Sequence, residues 1–145
     1  MARRVRGVSR ESEILDCEAL SKLLLQDPMA IARLEVARRK GTLVKICAMT
    51  IPEADQARVD RGWKRYLLSR LTVEPVTEAI ALRAAELLRE HGAHGHKYAI
   101  DAVVAATALD SVRPVAVFTS DVDDLERFCA EADRPKEERI QVRPA

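Results

Sequence analysis

Two hydrophobic periods alternate along this chain. Short unbroken apolar runs mark buried strands, and apolar residues recurring every three or four positions mark helix faces. Glu13-Ile14-Leu15-Asp16 is a run of the first kind, a short strand that ends in an acid. Helical spacing follows through Leu20, Leu23, Leu24 and Leu25. Asp27 and Pro28 then form a helix start, a capping acid before a proline at the first helical position, and Gly41 ends that helix. Leu43 to Met49 is apolar except for Lys45 and reads as a second, buried strand. Thr50-Ile51-Pro52-Glu53 opens another helical stretch, broken near Asp60 to Gly62 and ending near Arg70. Leu71 to Val76 is the third strand, and Thr77 caps a helix with Ile80, Ala84, Leu87 and Leu88 on one face. Gly92 and Gly95 bracket a loop, and Tyr98 to Leu109 forms the next helix. Val115 to Phe118 is the fourth strand, Asp124 to Ala130 the last helix, and Ile140 to Val142 an added edge strand. Strands alternating with helices long enough for crossovers predict an α/β fold. Its centre is a parallel sheet of four to five strands, flanked by helices on both faces.

Composition narrows the classes. At 145 residues and 48% hydrophobic the chain buries enough surface to need no disulfide staple. Cys17, Cys47 and Cys129 are an odd, widely spaced set that reads as free thiols in a reducing cytoplasm. A net charge of +1 excludes binding to nucleic acid by bulk charge, so such a partner would need a local patch. Apolar runs such as Ala102 to Ala106 are too short to span a membrane, and no secretory h-region follows the first basic residues. Arg3, Arg4, Arg6 and Arg10 make residues 1–12 an Arg-rich, flexible arm ahead of one domain over 13–145.

The chemistry lies in four acids. In an open parallel sheet, sites form beyond the carboxyl ends of the strands. Asp16 ends the first strand, Glu53 opens the helix after the second, and Asp121 follows the fourth. Asp101 falls in the first turn of the helix that leads back to the fourth strand. That helix, YAIDAVVAATAL, is apolar almost all round, so a carboxylate on it requires a partner. A shared divalent cation would supply one, and carboxylate-only ligation suits Mg²⁺ or Mn²⁺ rather than zinc. Each acid also has a plainer reading. Asp101 could complement a helix dipole, Glu53 could close a capping box with Thr50, and Asp121 could cap the last helix. Asp16 fits no routine cap. The tract His91-Gly-Ala-His94-Gly-His96 lacks a cysteine partner and HExxH spacing, which argues against zinc. His96 and Lys97 directly precede Asp101, and Arg58, Arg61, Lys64 and Arg65 form a basic stretch whose plain reading is a solvated face.

Three stretches together resemble the PIN-domain family, most often met as VapC-type toxin ribonucleases. They are ILDCEALSKLL, HGHKYAIDAVVAATAL and VFTSDVDDLERF, and the resemblance runs from Ile14 to Phe128. It implies a PIN-like fold and a metal-dependent endoribonuclease, the toxin of a type II toxin–antitoxin pair. The implied catalytic and metal-binding acids are Asp16, Glu53, Asp101 and Asp121, with Asp124 as an accessory ligand. Asp55 is the rival to Glu53, because TIPEAD departs from the family pattern. Thr119 and Ser120 match the polar pair that helps to hold the first acid, and with His96 and Lys97 they make up the substrate-binding set that the resemblance implies. In that set His96 and Lys97 face substrate phosphate, and Arg58, Arg61, Lys64 and Arg65 offer a phosphate-binding wall. The resemblance further implies Mg²⁺ or Mn²⁺ as cofactor, RNA as substrate, an antitoxin partner and a homodimer. Two other functions share these acids: a PIN-like module that binds protein without catalysis, and a metal-dependent phosphatase or phosphotransfer domain.

Overall fold

The computed structural model describes residues 11–145. The four arginines of the expected N-terminal arm lie outside the described residues. Five strands form one sheet: β1 (Ser12–Leu15), β2 (Leu43–Cys47), β3 (Thr72–Glu74), β4 (Val115–Thr119) and β5 (Gln141–Pro144). Their order is β3-β2-β1-β4-β5, and every neighbouring pair is parallel. The chain builds outward from β1 through β2 to β3, then crosses back to lay β4 on the other side of β1. That reversal opens a crevice at the carboxyl ends of β1 and β4.

The helices are α1 (Cys17–Leu24), α2 (Pro28–Arg39), α3 (Thr50–Ala54), α4 (Arg61–Arg70), α5 (Glu78–Glu90), α6 (Gly95–Leu109) and α7 (Val122–Phe128). Strand alternation divides them between two faces. Ile14 and Val117 point to a core shared with Leu87 of α5, Val104 of α6, and Leu125 and Phe128 of α7. Leu15, Val44 and Ile46 are buried with Leu20 and Leu24 of α1, Ala37 of α2 and Leu67 of α4. The helix of small residues, α6, presses into the first core with Ala102, Ala105, Ala106 and Ala108 all buried.

Local chemistry sets the helix ends. Asp27 accepts a hydrogen bond from the Ala30 amide at 2.9 Å, with Pro28 first in α2, and Gly41 leaves that helix at φ +76°. Asp60 accepts from the Trp63 amide at 2.7 Å and starts α4, which accounts for the expected break there. Thr77 caps α5 through the Ile80 amide at 3.2 Å. Several boundaries differ from the sequence expectation. The strand expected over 71–76 is only Thr72–Glu74, because Pro75 has no N–H to extend the ladder. The last helix begins at Val122, directly after Asp121. Most consequentially, α6 starts at Gly95 rather than Tyr98. Gly92, at φ +60°, suffices to end α5, and Gly95 is already helical.

Candidate metal centre

Asp16 is the residue that leaves β1, and its backbone amide still donates to the Phe118 carbonyl of β4 at 2.9 Å. Its backbone is therefore fixed by the sheet itself. Thr119, the last residue of β4, donates its hydroxyl to Asp16 Oδ2 at 2.8 Å. The same hydroxyl oxygen accepts the Asp121 amide at 2.9 Å. One buried threonine thus fixes the acids after two adjacent strands relative to each other. Asp16 is 2% exposed, and its Oδ1 is buried with no hydrogen-bond partner. An unpaired buried carboxylate oxygen costs several kcal/mol unless a cation or donor meets it, at roughly 1–3 kcal/mol or more per group.

Asp101 reaches the same place from α6. One carboxylate oxygen each from Asp16, Asp101 and Asp121 lies within 4.8 Å of the other two. These atoms come from three elements far apart in sequence. Burial, and then the charges of Asp16, Asp121, Asp124 and Glu53, push the Asp101 carboxyl up to about 7. Asp16 is raised as well, by burial first, with the Thr119 hydrogen bond opposing and Asp121 adding. Such mutual elevation marks carboxylates assembled without their countercharge.

The plainer roles open to these acids are not filled. Asp101 sits in the second turn of α6, because the helix starts at Gly95, and the dipole's effect is confined to the first turn. Met49, not Thr50, occupies the N-cap of α3, and Thr50 Oγ1 is buried without a partner, so no capping box forms with Glu53. Asp121 is at the N-cap of α7 but its side chain makes no capping bond, and the same holds for Asp16 before α1.

The remaining candidates are distributed unevenly. Glu53 and Asp124 stand outside the close triple, though the charge of each reaches Asp101. Glu53 lies against the Cys17 thiol; burial and this carboxylate push that thiol up to about 12, which makes it inert as a nucleophile. Asp55 is turned to Lys64 at 2.8 Å, and that hydrogen bond holds its carboxyl below the usual range. Of the two rivals, Glu53 is the one near the cluster. Ser120, His96 and Lys97 are exposed, the last two in the first turn of α6. Thr119 is fully buried, so its hydroxyl serves Asp16 and Asp121. His91 gives Nδ1 to the Leu87 carbonyl at 2.8 Å and rests edge-on against Phe128. Among the described residues no histidine or cysteine joins a metal-ligand group. Arg127, beside Asp124 at 3.6 Å, was not singled out by sequence, although its i,i+3 spacing from that acid was visible.

The donor set is all carboxylate oxygen, which fits a hard divalent cation, and the unpaired Asp16 oxygen fits the same ligand. The fold has known relatives. The family model described as PIN domain matches residues 12–131. A chain in the crystal structure of VapBC2 from Rickettsia felis bound to a DNA fragment from their promoter aligns with a TM-score of 0.59. The two are 12% identical, with 90% of this chain and 98% of that chain covered, a likeness of fold. No curated protein matches the sequence.

Proposed function

This chain belongs to the PIN-domain family, and on that premise we propose that it is a metal-dependent endoribonuclease, the toxin of a type II toxin–antitoxin pair. PIN domains are generally nucleases that use divalent metals. The observation that carries the reading is the triple of carboxylate oxygens within 4.8 Å, one of them on a buried side chain whose other bond is already taken by Thr119.

In this account Asp16, Asp101 and Asp121 hold Mg²⁺ or Mn²⁺, with Glu53 and Asp124 completing the acidic surround. The bound cation would supply an activated water and neutralise charge on the scissile phosphate. The chain's own residues do the rest. Thr119 ties the Asp16 carboxylate to the Asp121 backbone, so the Asp16 side chain is already oriented for a cation before one binds. The apolar body of α6 excludes water behind Asp101 and strengthens every charge interaction in front of it. His96 and Lys97 at the start of α6, with Ser120 just after β4, meet the RNA backbone.

The partner assignments follow the family: a cognate antitoxin and a second copy of the chain. The likeness to a chain of a VapBC structure supports the first. A cytoplasmic setting fits three free cysteines, and no described helix is long and apolar enough to cross a membrane.

The test is cleavage of a mixed cellular RNA pool by purified protein with Mg²⁺ or Mn²⁺, beside EDTA and an Asp101→Asn variant. Cutting that needs the metal and is lost in the folded variant supports the nuclease. Equal behaviour of wild type and variant overturns it in favour of a module that binds protein without catalysis.

A further inference from the structure

A cluster of acids repels the polyanion it is meant to cut, so the reading above requires cations near the cluster that are not consumed elsewhere. Most basic side chains that lie in ion pairs are committed. Lys64 is held by Asp55 at 2.8 Å and Lys45 by Glu74 at 3.1 Å. Arg113 and Arg134 are both bound to Glu131. Lys97 and Arg127 are different. Lys97 has no carboxylate within 4.0 Å among the described residues, and Arg127 meets Asp124 only at 3.6 Å, beyond hydrogen-bond length.

Both cations pack on one aromatic ring. Lys97 Nζ lies 5.1 Å from the Tyr98 ring centre and the Arg127 guanidinium carbon 5.6 Å from it. Arg127 also lies 5.2 Å from the centre of the Phe128 ring. Tyr98 meets Phe128 edge-on with centroids 6.1 Å apart, and Phe128 is 1% exposed, so the platform is anchored in the core. A guanidinium over aromatic rings is held without its N–H donors being used by the rings, which leaves them available to a phosphate. The position along the helices is equally specific. Lys97 is four residues before Asp101 on α6, hence on the same helical face. Arg127 is three residues after Asp124 on α7. At a rise of about 1.5 Å per residue, Lys97 lies about 6 Å along its helix from Asp101 and Arg127 about 4.5 Å from Asp124, each roughly one turn from an acid of the site.

We propose that Lys97 and Arg127, both lying over the Tyr98 ring, form a phosphate-binding shelf that holds the backbone of single-stranded RNA beside the carboxylate cluster. This rests on the nuclease reading for its substrate. Tyr98 is the positioning residue, ordering both cations, and Arg127 is the better phosphate contact of the two because its fork is flat and pre-set.

The test is binding of a short fluorescent single-stranded oligoribonucleotide, followed by anisotropy across a salt series. It is done in an Asp101→Asn background so that the RNA stays whole. Lys97→Ala and Arg127→Ala are each expected to weaken binding several-fold at low salt and to flatten the slope of log K against log[salt] by ~0.7 per lost phosphate contact. Arg127→Lys should keep the slope and still lose affinity. In the otherwise native chain, the rise in Tm on adding Mn²⁺ should persist in either alanine variant, since neither residue holds the metal. Both side chains are exposed, and a melting curve checks the fold. Unchanged affinity and slope in both variants overturns the shelf, as does failure of the parent to bind RNA at all. Stronger binding of an oligoglutamate peptide, lost in the same variants, also overturns it and assigns the surface to a protein partner. RNA binding that depends on the shelf in a protein that never cleaves would remove the nuclease reading and leave the shelf standing. Cleavage with an unaltered KM in both alanine variants would do the reverse.

Discussion

At the residue scale, Asp101 concentrates the electrostatics of the site. Its carboxyl titrates near 7 in the folded protein against an ordinary value of 3.8. The folded state therefore binds more protons than the unfolded state between those values, and the stability owed to this group falls as pH rises from about 4 to about 7. Metal-free Asp101→Asn should melt above wild type at pH 8, with the gap closing towards pH 4, as followed by calorimetry in EDTA. A gap that is flat or that widens towards acid would contradict the assignment. Thr119 invites a second measurement. Thr119→Val keeps the shape but removes the donor to Asp16 and the acceptor for the Asp121 amide. It should cost ~1–3 kcal/mol in urea unfolding and weaken Mn²⁺ binding as well. Stability loss alone would make Thr119 a core residue only. The acids were legible because an acid closing an apolar strand, and another on an apolar helix, violate the local pattern. The contact between Glu53 and the Cys17 thiol was not, since it joins residues from two elements whose relative placement only the fold decides.

At the element scale, the start of α6 is the instructive difference. Two glycines three residues apart read as one loop, yet only Gly92 needs the left-handed conformation. Starting at Gly95 brings His96 and Lys97 into the first turn and carries Asp101 into the second, away from any dipole role. The parallel sheet was readable from alternation of the two hydrophobic periods; the order of its strands was not, because pairing across the sheet is decided by tertiary packing. The attachment of β5 was only partly readable, because beside its ladder to β4 and its packing through Ile140 and Val142 it is approached by a charged network around one acid. Glu131 accepts from Arg113 Nη1 at 2.9 Å and from the Ile140 amide at 3.2 Å, and pairs with Arg134 at 3.0 Å. Glu131→Ala should destabilise by ~2–3 kcal/mol, less than a wholly buried pair because Arg113 and Arg134 retain some solvent. Amide exchange should speed up in β5 ahead of β1, with Mn²⁺ affinity unchanged. Uniform exchange across the sheet would show that β5 does not depend on this network.

At the scale of the whole molecule, function follows from one topological event, the return of the chain across β1 to form β4. It brings the ends of two adjacent strands together, and α6, running back from that edge, adds the third acid. Net charge is +1, so no global field draws in a polyanion, and attraction must come from local cations opposed to a local acidic cleft. Sequence patterning reached the edge where the acids meet. It did not reach which three would touch, because that depends on the depth to which α6 packs.

The account's central claim is that Asp16, Asp101 and Asp121 are a cation site. Calorimetric titration of Mn²⁺ into the purified protein tests it directly. The account expects saturable binding at pH 7.5, weaker binding at pH 6 where Asp101 takes up a proton, and loss of binding in folded Asp101→Asn. Equal heats for wild type and variant, or no saturable binding at pH 7.5, would contradict it.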